Sequence, residues 1–211
     1  MENIENLIDK LAQDAAAIPP APHPYMLSLK WMAWATGYLF LSLLFSGLRP
    51  DLMVKLHQPL FVAEIVTLTG IFISTSISAA LLSFPDMHQM RQLATAPVIA
   101  FALFVLVMLL AWLADRPPAP SPVHSVECTA SITLFSVLPA AWTFLSIRKL
   151  ASTHTRLAGC IALLSAFSVG ALWLRLYETN DSIMHVVEWH YLPMIGVGAA
   201  GLWLGKKLLA W

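Results

Sequence analysis

The sequence predicts an all-α fold, a polytopic membrane bundle of about six transmembrane helices. Of the 211 residues, 58% are apolar and only 11% are charged, whereas a soluble domain carries roughly 25% charged residues. Six separate stretches approach the length of about 20 apolar residues that a helix needs to cross a bilayer. No break between them has room for a second folded domain. Residues 26–211 are therefore expected to form one membrane domain, preceded by a cytoplasmic segment at 1–25.

The six predicted spans are separated by charged and turn-forming residues, such as those of Arg49–Asp51 and Asp115–Pro120. Such residues mark the ends of helices. In chain order, the spans are Met26–Leu48, Leu60–Phe84, Leu93–Leu113, Cys128–Ile147, Leu157–Leu174 and Ile183–Leu204.

The lysines and arginines near the ends of the spans indicate the orientation, because cytoplasmic loops are enriched in these residues. With the N-terminus inside, the cytoplasmic side carries eight of them and the outer side four. The eight are Lys10, Lys30, Arg91, Arg148, Lys149, Arg156, Lys206 and Lys207. The four are Arg49, Lys55, Arg116 and Arg175. This bias predicts that both termini are cytoplasmic.

Residues 2–16 are predicted to form a short amphipathic helix, followed by a proline-rich spacer at 18–22. Its apolar residues recur at i, i+3, i+4 and i+7, which makes one stripe; they are Ile4, Leu7, Ile8 and Leu11. The segment is net acidic, which disfavours binding to anionic lipid. Two interpretations stay open. The helix rests on the membrane surface or on the loops of the bundle, or its stripe docks into a groove of a cytoplasmic partner.

Side chains capable of chemistry collect on the predicted outer side. They are His57 in the first outer loop, His124, Glu127 and Cys128 at the start of the fourth span, and Glu178, Asp181, His185, Glu188 and His190 at or within the sixth. Ionisable groups inside a span are costly and usually face the bundle interior. Glu188 and His190 are therefore candidate functional residues, and Glu64 in the second span is a further candidate.

Thiolate, imidazole and carboxylate groups together suit a soft or borderline divalent metal ion. The candidate ligands are Cys128, His124 and His185, but the spacing does not require a metal. In an α-helix His185 and Glu188 share a face, whereas His190, five residues after His185, points elsewhere. The alternative is that these side chains are interfacial polar groups, wetted or paired with one another.

Composition and motifs argue against several classes of function. The formal net charge is zero, without a polybasic run, so nucleic acid is not an expected partner. The chain contains no HExxH or CxxC motif, and neither an enzyme nor a cofactor is expected. A small-molecule or metal transporter using Glu64, Glu188 and His190 is an alternative, although no inverted repeat is evident. A haem protein ligated by His185 or His190 is another.

Segments along the whole chain, in order, resemble the NrsF-like family of bacterial anti-sigma factors. The segments are LIDKLAQDAAAIPP, LRPDL, QPLFVAE, ECTASITLFSVLPAAW, DSIMHVVEWHYLP and GKKLLAW. Members of that family are six-span inner-membrane proteins that hold an extracytoplasmic-function sigma factor inactive. The resemblance therefore implies a multi-pass regulator in the bacterial inner membrane, which acts in signal transduction and stress response with the sigma factor and the lipid bilayer as partners.

The resemblance also implies a role for the N-terminal segment, which would bind the sigma factor. The implied contact residues are Ile4, Leu7, Ile8 and Leu11, together with Asp9 and Asp14 as partners for basic residues.

In the family, two cysteines on the outer face sense thiol-reactive stress, such as a transient heavy-metal ion. Cys128 matches the first of them, but the loop before the sixth span, where the second should lie, contains none, and Cys160 lies at another depth. Either Cys128 acts with histidine and carboxylate partners, or the signal is different. The implied partners of Cys128 are His124, Glu178, Asp181, His185, Glu188 and His190.

Overall fold

The computed structural model describes residues 4–16, 21–85, 91–114 and 125–210, and every regular element in these ranges is helical. The elements are α1 (Ile4–Ala16), α2 (Pro24–Ser46), α3 (Leu52–Lys55), α4 (Pro59–Leu82), α5 (Arg91–Ala114), α6 (Val126–Ile147), α7 (Thr155–Tyr177), α8 (Ile183–His185) and α9 (Pro193–Leu208). A π-helical segment, Val186–Tyr191, joins α8 to α9. The predicted all-α class is confirmed for these residues.

Four of the six predicted spans are helices that are long and apolar enough to cross a membrane; they are Pro59–Leu82, Gln92–Ala114, Val126–Ile147 and Thr155–Tyr177. The other two differ for physical reasons. Helix α2 has the length, but Lys30 and several polar and tryptophan side chains lower its hydropathy. Helix α9 has only 16 residues, because the π-helical segment precedes it. The first and sixth spans therefore stay predictions.

Helix α7 lies at the centre of the bundle, where it packs against α2, α4, α6 and α9. Helix α5 packs on the outside of α4. The long helices run up and down, so the end of α2 meets the end of α7, and the Arg49 amide donates to the Leu176 carbonyl across 3.0 Å. The starts of α4, α6 and α8 lie at the same end of the bundle, and we call it the outer end after the topology that the sequence predicts. The candidate site is at this end.

Glycines allow α7 and α9 to approach backbone to backbone. A Cβ atom added to Gly159 would lie 2.5 Å from the Gly201 carbonyl oxygen, and one added to Gly205 would lie 2.3 Å from the Thr155 carbonyl oxygen. Small residues permit such close packing in lipid, where no hydrophobic effect drives helices together. This contact fixes α9, and with it the π-helical segment, against the central helix.

Candidate functional site

The π-helical segment brings two histidines together. Residues five apart in an α-helix point about 140° away from each other, so His185 and His190 were expected on different faces. The structure differs because Val186–Tyr191 forms i to i+5 hydrogen bonds, including Leu192 N–H to the Val187 carbonyl at 2.8 Å. The two imidazole rings lie 5.0 Å apart between centroids. π-helical turns inside helices are frequent at functional sites.

Four side chains from four different elements meet at the outer end. Cys128 comes from the first turn of α6, Glu178 from the loop after α7, His185 from α8 and His190 from the π-helical segment. One donor atom of each lies within 4.8 Å of the donor atoms of the other three. We call these four residues the donor cluster.

The distances within the donor cluster are short. The Cys128 Sγ atom lies 3.5 Å from Glu178 Oε2 and 3.7 Å from His185 Nε2. The carboxylate of Glu178 also approaches both imidazoles, at 3.3 Å from His185 Nε2 and 3.1 Å from His190 Nε2. Glu178 therefore bridges the thiol and the two histidines.

Both histidines are buried, with His185 1% and His190 0% exposed, and their polar atoms are incompletely paired. Neither ring nitrogen of His190 makes a hydrogen bond of suitable geometry to the described residues, although Nε2 lies 3.1 Å from Glu178 Oε2, and His185 Nδ1 has no partner among them either. A buried donor or acceptor without a partner costs about 1–3 kcal/mol. Hydrogen bonds among the described residues thus leave three buried imidazole nitrogens unsatisfied.

Glu178 keeps its negative charge in this setting. Burial opposes the charged carboxylate, but the imidazoles of His190 and His185 outweigh that effect and hold the pKa of Glu178 below its ordinary value. The side chain of Glu178 is 22% exposed, and Cys128 is half-buried. The donor cluster is thus buried on its histidine side and accessible on its thiol and carboxylate side.

Two of the other implied sensor residues, Asp181 and Glu188, lie elsewhere. Asp181 points away from the cluster into a network of ion pairs, and Glu188 is exposed on the π-helical segment. His124 lies outside the described residues. Of the seven implied sensor residues, the structure brings together Cys128 and three of its six partners.

The ion-pair network next to the cluster connects the loops of the outer end to the interior. It contains three cations and three carboxylates, which are Arg49, Lys55, Arg175, Asp51, Glu64 and Asp181. Arg175 donates from Nε to Glu64 Oε1 at 2.7 Å and from Nη1 to Asp181 Oδ1 at 2.7 Å. Arg49 donates from Nη2 to Asp181 Oδ2 at 2.7 Å. Every cation in the network thus has a carboxylate partner.

Asp181 serves as the shared counter-ion of this network. Burial disfavours its charged form, but hydrogen bonds from Arg49, Lys55 and Arg175 prevail and hold the pKa of Asp181 well below its ordinary value. The carboxylate is therefore engaged with three cations and is not free to join the donor cluster.

Tyr191 connects the network with the donor cluster. It follows His190 in the π-helical segment, it is buried, and its hydroxyl donates to Glu64 Oε1. Glu64 is buried in its ion pair with Arg175, whereas Glu188 is exposed on the π-helical segment, so the residues that the transporter alternative uses do not form one group. Sequence reasoning missed this pairing. The signal was present, since opposite charges at similar depth in two spans usually pair.

The predicted N-terminal helix lies in α1, and its side chains from Ile4 to Asp14 are exposed. Helix α1 leads towards the start of α2, where Leu27 and Trp31 pack with Leu82, Ile147 and other residues of the end opposite the donor cluster. The start of α2, which follows α1 in the chain, and the donor cluster thus lie at opposite ends of the bundle.

The family model described as negative regulator of sigma F, NrsF, matches residues 11–211. The chain belongs to the NrsF family. The family resemblance noted in the sequence is confirmed over nearly the whole chain, since the match covers the last part of α1, the spacer and the entire bundle.

A curated NrsF relative supports the same assignment. The probable anti-sigma-F factor NrsF of Azospira oryzae (strain ATCC BAA-33 / DSM 13638 / PS) is 29% identical over 218 residues, which cover 98% of this chain and 99% of that protein. No solved structure matches the chain.

Proposed function

We propose that this NrsF-family chain is a membrane anti-sigma factor, which holds an extracytoplasmic-function sigma factor inactive through α1 and releases it when a stress signal reaches the donor cluster. The family match carries the proposal, because the family is one of negative regulators of a sigma factor. The relative from Azospira oryzae bears the name of a probable anti-sigma-F factor. The regulator has no catalytic step of its own.

The exposed stripe of α1 supports its role as the output. Its members are exposed to 73% at Ile4, 51% at Leu7, 57% at Ile8 and 60% at Leu11. A helix of 13 residues is marginal on its own in water, so it is stabilised when this stripe is covered. An amphipathic helix that lays its stripe into a groove is a common mode of protein recognition. Asp14, beside the stripe, would face basic residues of the sigma factor, whereas Asp9 lies on the opposite helix face.

The topology follows from this role. Residues 26–211 form six spans in the bacterial inner membrane, with residues 1–25 and the C-terminus in the cytoplasm, where the sigma factor is. The four apolar helices support membrane insertion, and the distribution of lysine and arginine supports the orientation. Lipid is the partner of the exposed apolar side chains on α5 and α6, such as Val98, Leu106 and Leu134.

The donor cluster would be the input on the opposite side of the membrane. Cys128 supplies the thiol, and Glu178, His185 and His190 take the place of a second cysteine. The signal, a thiol-reactive or metal stress, would change how these side chains contact one another. Tyr191 lies next to His190 and contacts Glu64 of α4, which in turn pairs with Arg175 of α7. Such a change would therefore be transmitted to α4 and α7.

The test uses a transcriptional reporter driven by an extracytoplasmic-function sigma factor of the source organism. In cells that lack the chromosomal copy, we expect the wild-type chain to silence the reporter. Leu7→Asp combined with Leu11→Asp should leave it active, because two charges in the stripe prevent burial. The matched control, Asn6→Asp with Gln13→Asp, adds the same charges to the opposite helix face and should silence normally. If the stripe variant silences the reporter at wild-type protein level, α1 does not bind the sigma factor through this stripe.

A further inference from the structure

We propose that Cys128, Glu178, His185 and His190 are the four ligands of a mononuclear site for a divalent ion of the zinc class. The proposal assigns a ligand to the donor cluster. Only the consequence of binding, release of the sigma factor, rests on the proposed function. Binding itself is a property of the purified chain, and it can be present or absent independently of any sigma factor.

The spacing of the donor atoms agrees with a four-coordinate ion. Zinc bonds of about 2.3 Å to sulfur and about 2.0–2.2 Å to nitrogen and oxygen place tetrahedral ligands roughly 3.3–3.6 Å from each other. The observed separations are 3.5 Å and 3.7 Å from Cys128 Sγ to Glu178 Oε2 and His185 Nε2. They are 3.3 Å from Glu178 Oε1 to His185 Nε2 and 3.1 Å from Glu178 Oε2 to His190 Nε2. The remaining separations do not exceed 4.8 Å, so a small side-chain rotation completes the shell.

The chemistry of the four ligands selects the class of ion. A thiolate and a carboxylate carry two negative charges, and two neutral imidazoles carry none, so a divalent ion makes the site neutral. Neutrality matters because both histidines are buried at the end of an apolar bundle, where an uncompensated charge is costly. Thiolate and imidazole favour zinc and similar ions over magnesium or calcium, which prefer oxygen ligands.

The buried histidines give an independent sign of a ligand. His190 Nε2 is fully buried and lies 3.1 Å from Glu178 Oε2, but it makes no hydrogen bond of suitable geometry to the described residues. A metal bond at Nε2 satisfies this atom. Neither His185 Nδ1 nor His190 Nδ1 has a partner in the described part of the chain, and loss of such outer hydrogen bonds typically lowers metal affinity by about 10–100-fold. The site is therefore expected to exchange its ion, as a regulatory site must.

Binding would change the structure locally in a defined way. The Cys128 thiol loses its proton to water, and its sulfur forms a bond to the ion. The ion reaches the site from the side of Cys128 and Glu178, which are accessible. It draws His185 and His190 towards α6, and this movement pulls on the π-helical segment that carries Tyr191.

The test is a titration of the purified full chain with cobalt(II), which takes zinc sites and reports four-coordination by intense visible absorption and thiolate ligation by a charge-transfer band. After treatment with a chelator, we expect one equivalent to bind, and zinc(II) to displace the cobalt. Cys128→Ser should abolish the charge-transfer band, and Glu178→Gln should weaken binding at least about tenfold. The matched control, Cys160→Ser, changes the other cysteine and should leave both signals intact.

Each of the remaining outcomes either supports or overturns the proposed metal site. A wild-type chain without the four-coordinate spectrum would overturn the proposal, and so would a charge-transfer band that survives in Cys128→Ser or disappears in Cys160→Ser. Stabilisation of the wild-type chain by zinc(II), seen as a higher Tm that is lost in folded Glu178→Gln, would support it. Capture of the sigma factor is measured on the same samples, so failure of the metal site with intact capture leaves the proposed function standing.

Discussion

Replacing Arg175 with methionine is expected to be the most damaging single change in the bundle, lowering the free energy of unfolding by about 3–5 kcal/mol. Arg175 and Glu64 are each 6% exposed in their side chains, and they contact each other through two hydrogen bonds. Methionine fills much of the volume but leaves the Glu64 carboxylate buried with Tyr191 alone. The measurement is unfolding in detergent, followed by the loss of helical signal.

Two comparison variants isolate the ion pair from the change in side-chain shape. Lys30→Met makes the same replacement at an exposed cation on α2, where a change of no more than about 0.5 kcal/mol is expected. Adding Glu64→Gln to Arg175→Met removes the unpaired charge and should recover part of the loss. Equal stability of Arg175→Met and Lys30→Met would show that the buried pair is not important for the fold.

Substituting Cys128 by serine is expected to bring the response to a thiol-reactive metal down to the unstimulated level, while silencing of the sigma factor stays normal. The serine hydroxyl keeps the size of the side chain but is a poor ligand and nucleophile, because the thiolate is the reactive form of cysteine. The measurement is the sigma-dependent reporter with and without the metal in the growth medium.

Cys160→Ser is the control for Cys128→Ser. Both cysteines are free, but Cys160 lies within α7, 3.6 Å from the position of a Cβ atom on Gly198, and away from Glu178 and the histidines. Its replacement should leave the response unchanged. A full response in Cys128→Ser would mean that the signal reaches the regulator without this thiol.

The helices could be predicted from the sequence because hydropathy and length determine a span directly. The predicted ends of the six spans lie within four residues of the helix ends. The π-helical segment could not be predicted, since the residue pattern does not distinguish a π-helical turn from an α-helical one within Ile183–Leu204. Residues from His185 to Tyr191 have no glycine or proline that marks a change of period.

The donor cluster could be predicted only in part. Cys128 and the start of the sixth span were placed at the same end of the bundle by alternating topology. Which side chains meet there depends on the turn between Tyr177 and Ile183, where Glu178 faces Cys128 while Asp181, three residues later, faces Arg175. Spacing along the chain does not predict which of these two carboxylates faces Cys128, because residues 178–182 are not helical.

The most direct measurement for the central claim is the capture of the sigma factor by the purified full chain in a lipid bilayer disc, with the amount bound per molecule as the readout. We expect stoichiometric capture by the wild-type chain and by Asn6→Asp with Gln13→Asp. We expect at least about a hundredfold weaker capture by Leu7→Asp with Leu11→Asp, since two central anchors of a helix-in-groove contact carry about 2 kcal/mol or more each. Equal capture by both double variants, or none by the wild-type chain, would contradict the claim that this protein holds a sigma factor through α1.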